Sequence, residues 1–72
     1  MDHRSDRLFD MDFRIAQAEM AVMLQIVEID KLRVAGRDTA VAERALLAFV
    51  ASLEAIRERR KLIAQSSHRY IT

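Results

Sequence analysis

Hydrophobic residues recur at three- and four-residue spacing along most of the chain, on both sides of one short polar break. This spacing is typical of one face of an α-helix. It predicts an all-α chain with two long amphipathic helices, over about residues 6–35 and 39–65, and a polar tail over residues 66–72. The inward faces comprise Leu8, Met11, Ile15, Ala18, Val22, Ile26, Ile29 and Leu32, then Ala42, Leu46, Phe49, Leu53, Ile56 and Ile63.

The polar break reads Gly36-Arg37-Asp38-Thr39 and predicts a tight turn over residues 36–38. Glycine is the residue best suited to the left-handed conformation that ends many helices. Asp38 or Thr39 can then offer a side-chain oxygen to the free N–H groups that begin the next helix. Two helices of matched length joined by a short turn indicate one domain, an antiparallel helical hairpin over residues 1–72.

A second apolar stripe lies on the far side of the first helix and changes this picture. One partner helix cannot cover both stripes, and an isolated hairpin would expose a large apolar patch. We therefore expect two hairpins to pair into a homodimeric four-helix bundle; a monomer, a higher oligomer and another protein partner are the alternatives. The second stripe comprises Phe13, Ala16, Met20, Met23, Val27 and Val34. Hairpin core and dimer contacts are assigned to Leu8, Ile15, Val22, Met23, Ile26, Ile29, Leu46, Phe49, Leu53 and Ile56.

Composition strengthens the expectation of self-association. The chain has 72 residues and no cysteine, so disulfides cannot compensate for its small core. Runs without a charge, such as residues 20–27, are far too short to span a bilayer, and the charged first residues do not resemble a secretory signal. A cytoplasmic protein that does not enter membranes is the expectation.

Candidate chemistry is sparse, and we predict no catalytic residue, no cofactor and no metal. The single glycine excludes both the P-loop and the dinucleotide-binding fingerprint. His3 and His68 could approach each other across the hairpin, but neither belongs to a helical metal-binding motif. Asp12 and Glu19 lie too far apart along the helix axis to act as one acid–base pair, and are expected to pair with basic groups.

A basic run near the end of the second helix is the main candidate for binding. The net charge of the chain is only +1, which does not favour a general nucleic-acid binder. Nevertheless Arg57, Arg59, Arg60 and Lys61 could form a patch that grips phosphates. The alternative is a solvated helix end partly neutralised by the acidic start of the first helix. Arg60 falls in the apolar stripe and should pair with an aspartate such as Asp12 or with a second chain.

Around the turn the chain resembles a group of small bacterial proteins of unknown function. The shared features are the Gly-x-Asp-Thr turn at Gly36, Asp38 and Thr39, two amphipathic helices, and arginines near the end of the second helix. The resemblance covers roughly residues 15–60 and implies a helical hairpin without catalytic residues. The architecture is also similar in form to the plasmid RNA-binding protein Rop.

The sequence therefore predicts a non-enzymatic protein that acts through self-association and protein–protein contacts. The alternative is a nucleic-acid-binding or regulatory dimer that uses the basic end of the second helix. A subunit of a larger complex, with an unidentified protein partner, is a third possibility.

Overall fold

Two helices of equal length account for nearly the whole structure. The computed structural model describes the backbone of residues 3–71 and the side chains of residues 6–65. Helix α1 spans His3–Val34 and helix α2 spans Ala40–Ile71, each with 32 residues. The all-α hairpin is thus confirmed. The predicted tail over residues 66–72 was wrong, because no glycine or proline follows Gln65 and the helix continues to Ile71.

The turn between the helices is closed by hydrogen bonds of the Schellman type. Gly36 has φ 71°, the left-handed conformation expected of it. The Arg37 N–H donates to the Leu32 carbonyl at 2.8 Å, and the Gly36 N–H donates to the Arg33 carbonyl at 3.0 Å. Asp38 Oδ1 then accepts the Ala40 N–H at 2.9 Å at the start of α2. The sequence-based assignment of Gly36 and Asp38 is confirmed in atomic detail.

The two helices meet along one seam whose spacing on α1 repeats every seven residues, as in an antiparallel coiled coil. Its most buried side chains are Met11, Ile29, Ala42 and Leu53. The prediction that placed Ile26 in this seam was wrong: Ile26 is 51% exposed, and Gln25 lies half-buried in its place. Gln25 Nε2 donates to the Ala42 carbonyl at 2.9 Å. One donor of the Gln25 amide is therefore satisfied within the seam.

The hairpin is long and thin, and its core is correspondingly small. Its dimensions are 57 × 17 × 13 Å, and its radius of gyration is 16.7 Å. A compact chain of this length would have a radius of gyration of about 11 Å. The accessible surface is 5956 Å², whereas a compact monomer of this mass exposes about 4,600 Å². The excess surface belongs to a fold in which each helix has only one intramolecular neighbour.

Candidate functional site

The most conspicuous surface of the molecule is an apolar band on α1 that faces away from α2. We call it the outer stripe. Its large members are between 49% and 82% exposed, and they follow the same seven-residue repeat as the seam. The second stripe found in the sequence is thus present on the surface, and Phe9 extends it toward the start of α1. The outer stripe comprises Phe9, Phe13, Ala16, Met20, Met23, Val27 and Val34.

The apolar surface continues around one side of α1 into a groove between the helices. Ile26, Val27, Ile29 and Leu46 form its apolar lining, and its volume is about 420 Å³. The charged residues at its rim are Asp30, Arg33 and Glu43. The outer stripe and this groove share Val27 and therefore form one continuous apolar surface in the half of the hairpin nearer the turn.

The ten residues assigned to core and dimer contacts divide between two environments. Seven lie in the seam between the helices, where Ile29 and Leu53 are buried and the others are half-buried: Leu8, Ile15, Val22, Leu46 and Ile56. Phe49 lies at the edge of the seam and is 38% exposed. Met23 and Ile26 lie outside the seam, on the exposed apolar surface of α1. The sequence alone did not separate these two groups.

Ion pairs between the helices line the side of the hairpin that carries the groove, which we call the paired flank. Arg57 Nη2 donates to Glu19 Oε2 at 2.7 Å. Near the turn, Arg33 Nη2 lies 3.6 Å from Glu43 Oε1. Each of these pairs is about half exposed, and such pairs typically stabilise by less than about 1 kcal/mol. Their effect is to match charges across the seam in the antiparallel orientation.

Arg60 interrupts the apolar seam of α2 and reaches out to the paired flank. Its Nε donates to Asp12 Oδ1, and its Nη2 lies 3.5 Å from Asp12 Oδ2. This pairing with Asp12 is one of the two solutions expected from the sequence. The hydrogen bond and the charge of Asp12 raise the pKa of the Arg60 guanidinium. Since a raised pKa favours the protonated form, Arg60 stays positively charged well beyond neutral pH.

The basic run at residues 57–61 does not form one patch. Arg57 and Arg60 each bind a carboxylate of α1. Arg59 follows Arg57 by two residues, so its side chain leaves α2 about 200° away, on the opposite side of the hairpin. Lys61 stands on the outer surface of α2 and is exposed. The four cations expected to act together are therefore divided among different surfaces.

Arg59 instead joins two arginines of α1 that the sequence analysis did not single out. Arg7, Arg14 and Arg59 line a recess of about 150 Å³, together with Asp10, Met11 and Ile63. We call this side of the molecule the arginine flank. The seven-residue spacing of Arg7 and Arg14 was the available signal, because residues seven apart lie on the same side of a helix.

Among the residues that the structure describes, no group of three or more histidine, cysteine or acidic side chains could hold a metal ion. The side chains of His3 and His68, considered from the sequence, lie outside the described residues. Within the described part of the chain, neither helix has a segment long and apolar enough to cross a membrane.

Comparison with known proteins gives no match to a protein family, to a curated sequence or to a solved structure. The resemblance at the Gly-x-Asp-Thr turn therefore stays a prediction.

Proposed function

We propose that this protein is a non-enzymatic interaction module in which two hairpins associate through the outer stripes of their α1 helices. The observation that carries the proposal is the balance of apolar groups among the described side chains: four hydrophobic residues are buried, whereas twelve large ones are exposed, eight of them on α1. Monomeric proteins rarely leave a large contiguous apolar surface, such as the outer stripe, in contact with water. The accessible surface exceeds that of a compact monomer by about 1,400 Å², and a standard interface buries about 800 Å² per partner.

A second copy of this chain is the occupant that the pattern of the outer stripe favours. The stripe repeats every seven residues, which is the periodicity that two α-helices need to pack along their length. When two α1 helices run antiparallel, with Phe9 of one copy opposite Val34 of the other, Ala16 lies opposite Val27 and Met20 lies opposite Met23. Phe13 then lies opposite Asp30, the one charged residue that interrupts the stripe. Met20 and Met23 then lie beside the two-fold axis.

Charges beside the stripe favour the same antiparallel orientation. In this register Asp12 of one copy lies beside Arg33 of the other. Asp12 already binds Arg60, and Arg33 already lies next to Glu43. The four groups would then alternate in sign across the junction, as complementary interfaces do. Because the outer stripe faces away from α2, two hairpins paired in this way would contain four helices with the two α1 helices at the centre.

The proposal is tested by the solution mass of the full chain, measured by light scattering and by sedimentation equilibrium over a range of concentrations. We expect a species of twice the 8.3 kDa chain mass that dissociates when a carboxylate is placed in the outer stripe. A monomer at all concentrations would overturn the proposal. A larger assembly with an antiparallel α1 contact would keep the interface but change the number of copies.

The geometry gives less support to a nucleic-acid-binding role for the end of α2. Proteins bind phosphate backbones through several unpaired cationic side chains on one surface. Here Arg57 and Arg60 are engaged by carboxylates of α1, and Arg59 faces the other flank. We therefore place self-association first.

A further inference from the structure

We propose that the recess on the arginine flank binds one phosphate group, as inorganic phosphate or as a phosphate monoester. The recess lies on the side of the hairpin away from the paired flank and its groove. Its three arginines lie outside the outer stripe, and the proposal does not depend on self-association.

Positively charged side chains of both helices line the recess. Arg7 and Arg14 are two helical turns apart on the same side of α1, and Arg59 comes from α2. Asp10 is the one acidic group in the lining, so the formal charge of the lining is +2. Arg14 Nε lies 3.3 Å from Asp10 Oδ2, but both side chains are about 60% exposed. Such an exposed pair is weak and leaves the remaining guanidinium donors of Arg14 available.

The paired flank differs from the arginine flank, so this cluster of positive charge is specific to one side of the hairpin. On the paired flank, Arg33, Arg57 and Arg60 each face a carboxylate of the other helix. On the arginine flank, neither Arg7 nor Arg59 has a carboxylate within ion-pair distance among the side chains of residues 6–65. Like charges in one recess repel each other, and a bound anion would relieve that repulsion.

The chemistry of the lining selects a tetrahedral oxyanion. Each guanidinium presents a planar fork of N–H donors, which matches the oxygens of phosphate in bidentate geometry. Of the other lining residues, Met11 and Ile63 are apolar, and Asp10 is the one carboxylate that competes with an anion for a guanidinium. A volume of about 150 Å³ suits one small anion rather than an extended polyanion. A doubly charged phosphate would balance the +2 charge of the lining.

The test measures binding of sodium phosphate and of O-phosphoserine to the full chain by titration calorimetry, with chloride keeping the ionic strength constant. We expect saturable binding with one site per chain. Stronger binding of O-phosphoserine identifies a phosphate monoester as the ligand, and stronger binding of inorganic phosphate identifies the free ion. No binding of either compound above the chloride background would overturn the proposal.

Two variants with the same charge change separate this recess from general attraction of anions. Arg59→Gln removes the contribution of α2 and should weaken binding by about tenfold or more, since it removes charge-assisted hydrogen bonds. Lys61→Gln, on the outer surface of the same helix, should leave the affinity unchanged. Equal weakening by both variants would overturn the proposal, because only the net charge would then matter. Tighter binding of duplex DNA than of either phosphate compound would also overturn it, in favour of a nucleic-acid surface.

Discussion

Replacement of Met23 by aspartate is the sharpest perturbation of the proposed interface, because Met23 lies beside the predicted two-fold axis and outside the hairpin seam. Complete burial of a methionine side chain stabilises by about 1.5–3 kcal/mol. Met23 is 62% exposed in the hairpin, so pairing would gain about 1–2 kcal/mol from each copy. A symmetric dimer loses this contribution twice, about 2–4 kcal/mol, before the cost of burying a carboxylate is added.

This loss corresponds to a dimer dissociation constant raised by about 30- to 700-fold or more. Sedimentation equilibrium of Met23→Asp against the unmodified chain measures the change directly. Leu62→Asp is the matched control, because Leu62 is 56% exposed on the outer surface of α2, away from the outer stripe. It should leave the dissociation constant within about twofold. An unchanged constant for Met23→Asp, or equal weakening by the control, would refute the proposed interface.

Three further predictions test the hairpin and the orientation of the dimer. Gly36→Ala should lower the free energy of unfolding by about 1–2 kcal/mol, measured by urea denaturation, because φ is 71°. Val22→Asp should abolish the helical circular dichroism of the hairpin, because Val22 lies in the seam; an unchanged melting temperature would contradict this. Phe9→Cys should not form a disulfide between two copies, since antiparallel pairing separates these positions by about 37 Å. Phe9→Cys combined with Val34→Cys should crosslink position 9 to position 34, and a 9–9 link would indicate parallel pairing.

The fold could be predicted from local features of the sequence. Gly36 and Asp38 define the turn because each supplies a conformation or an acceptor that other residues rarely provide. The spacing of the apolar residues predicted the helices because residues three and four apart lie on the same face of a helix and are buried together. The end of α2 was missed because Ser66 and Ser67 favour a polar tail by composition, although neither residue interrupts a helix.

The surfaces were harder to predict because they depend on small angular differences and on contacts between distant residues. Ile26 and Gln25 differ by only 100° around the helix, and the seven-residue repeat of the seam selects the polar residue. Consecutive residues of the basic run at residues 57–61 also differ by 100° each, so their side chains lie on different sides of α2. The recess combines Arg59 with Arg7, which is remote in sequence, so only the register of the two helices brings them together.

We propose that two copies of this chain meet through the exposed apolar surface of α1. The most direct test is the solution mass of the unmodified protein, measured by sedimentation equilibrium at micromolar concentration. We expect twice the 8.3 kDa mass of one chain. A single folded hairpin of 8.3 kDa at all concentrations, with its helical content intact, would contradict it.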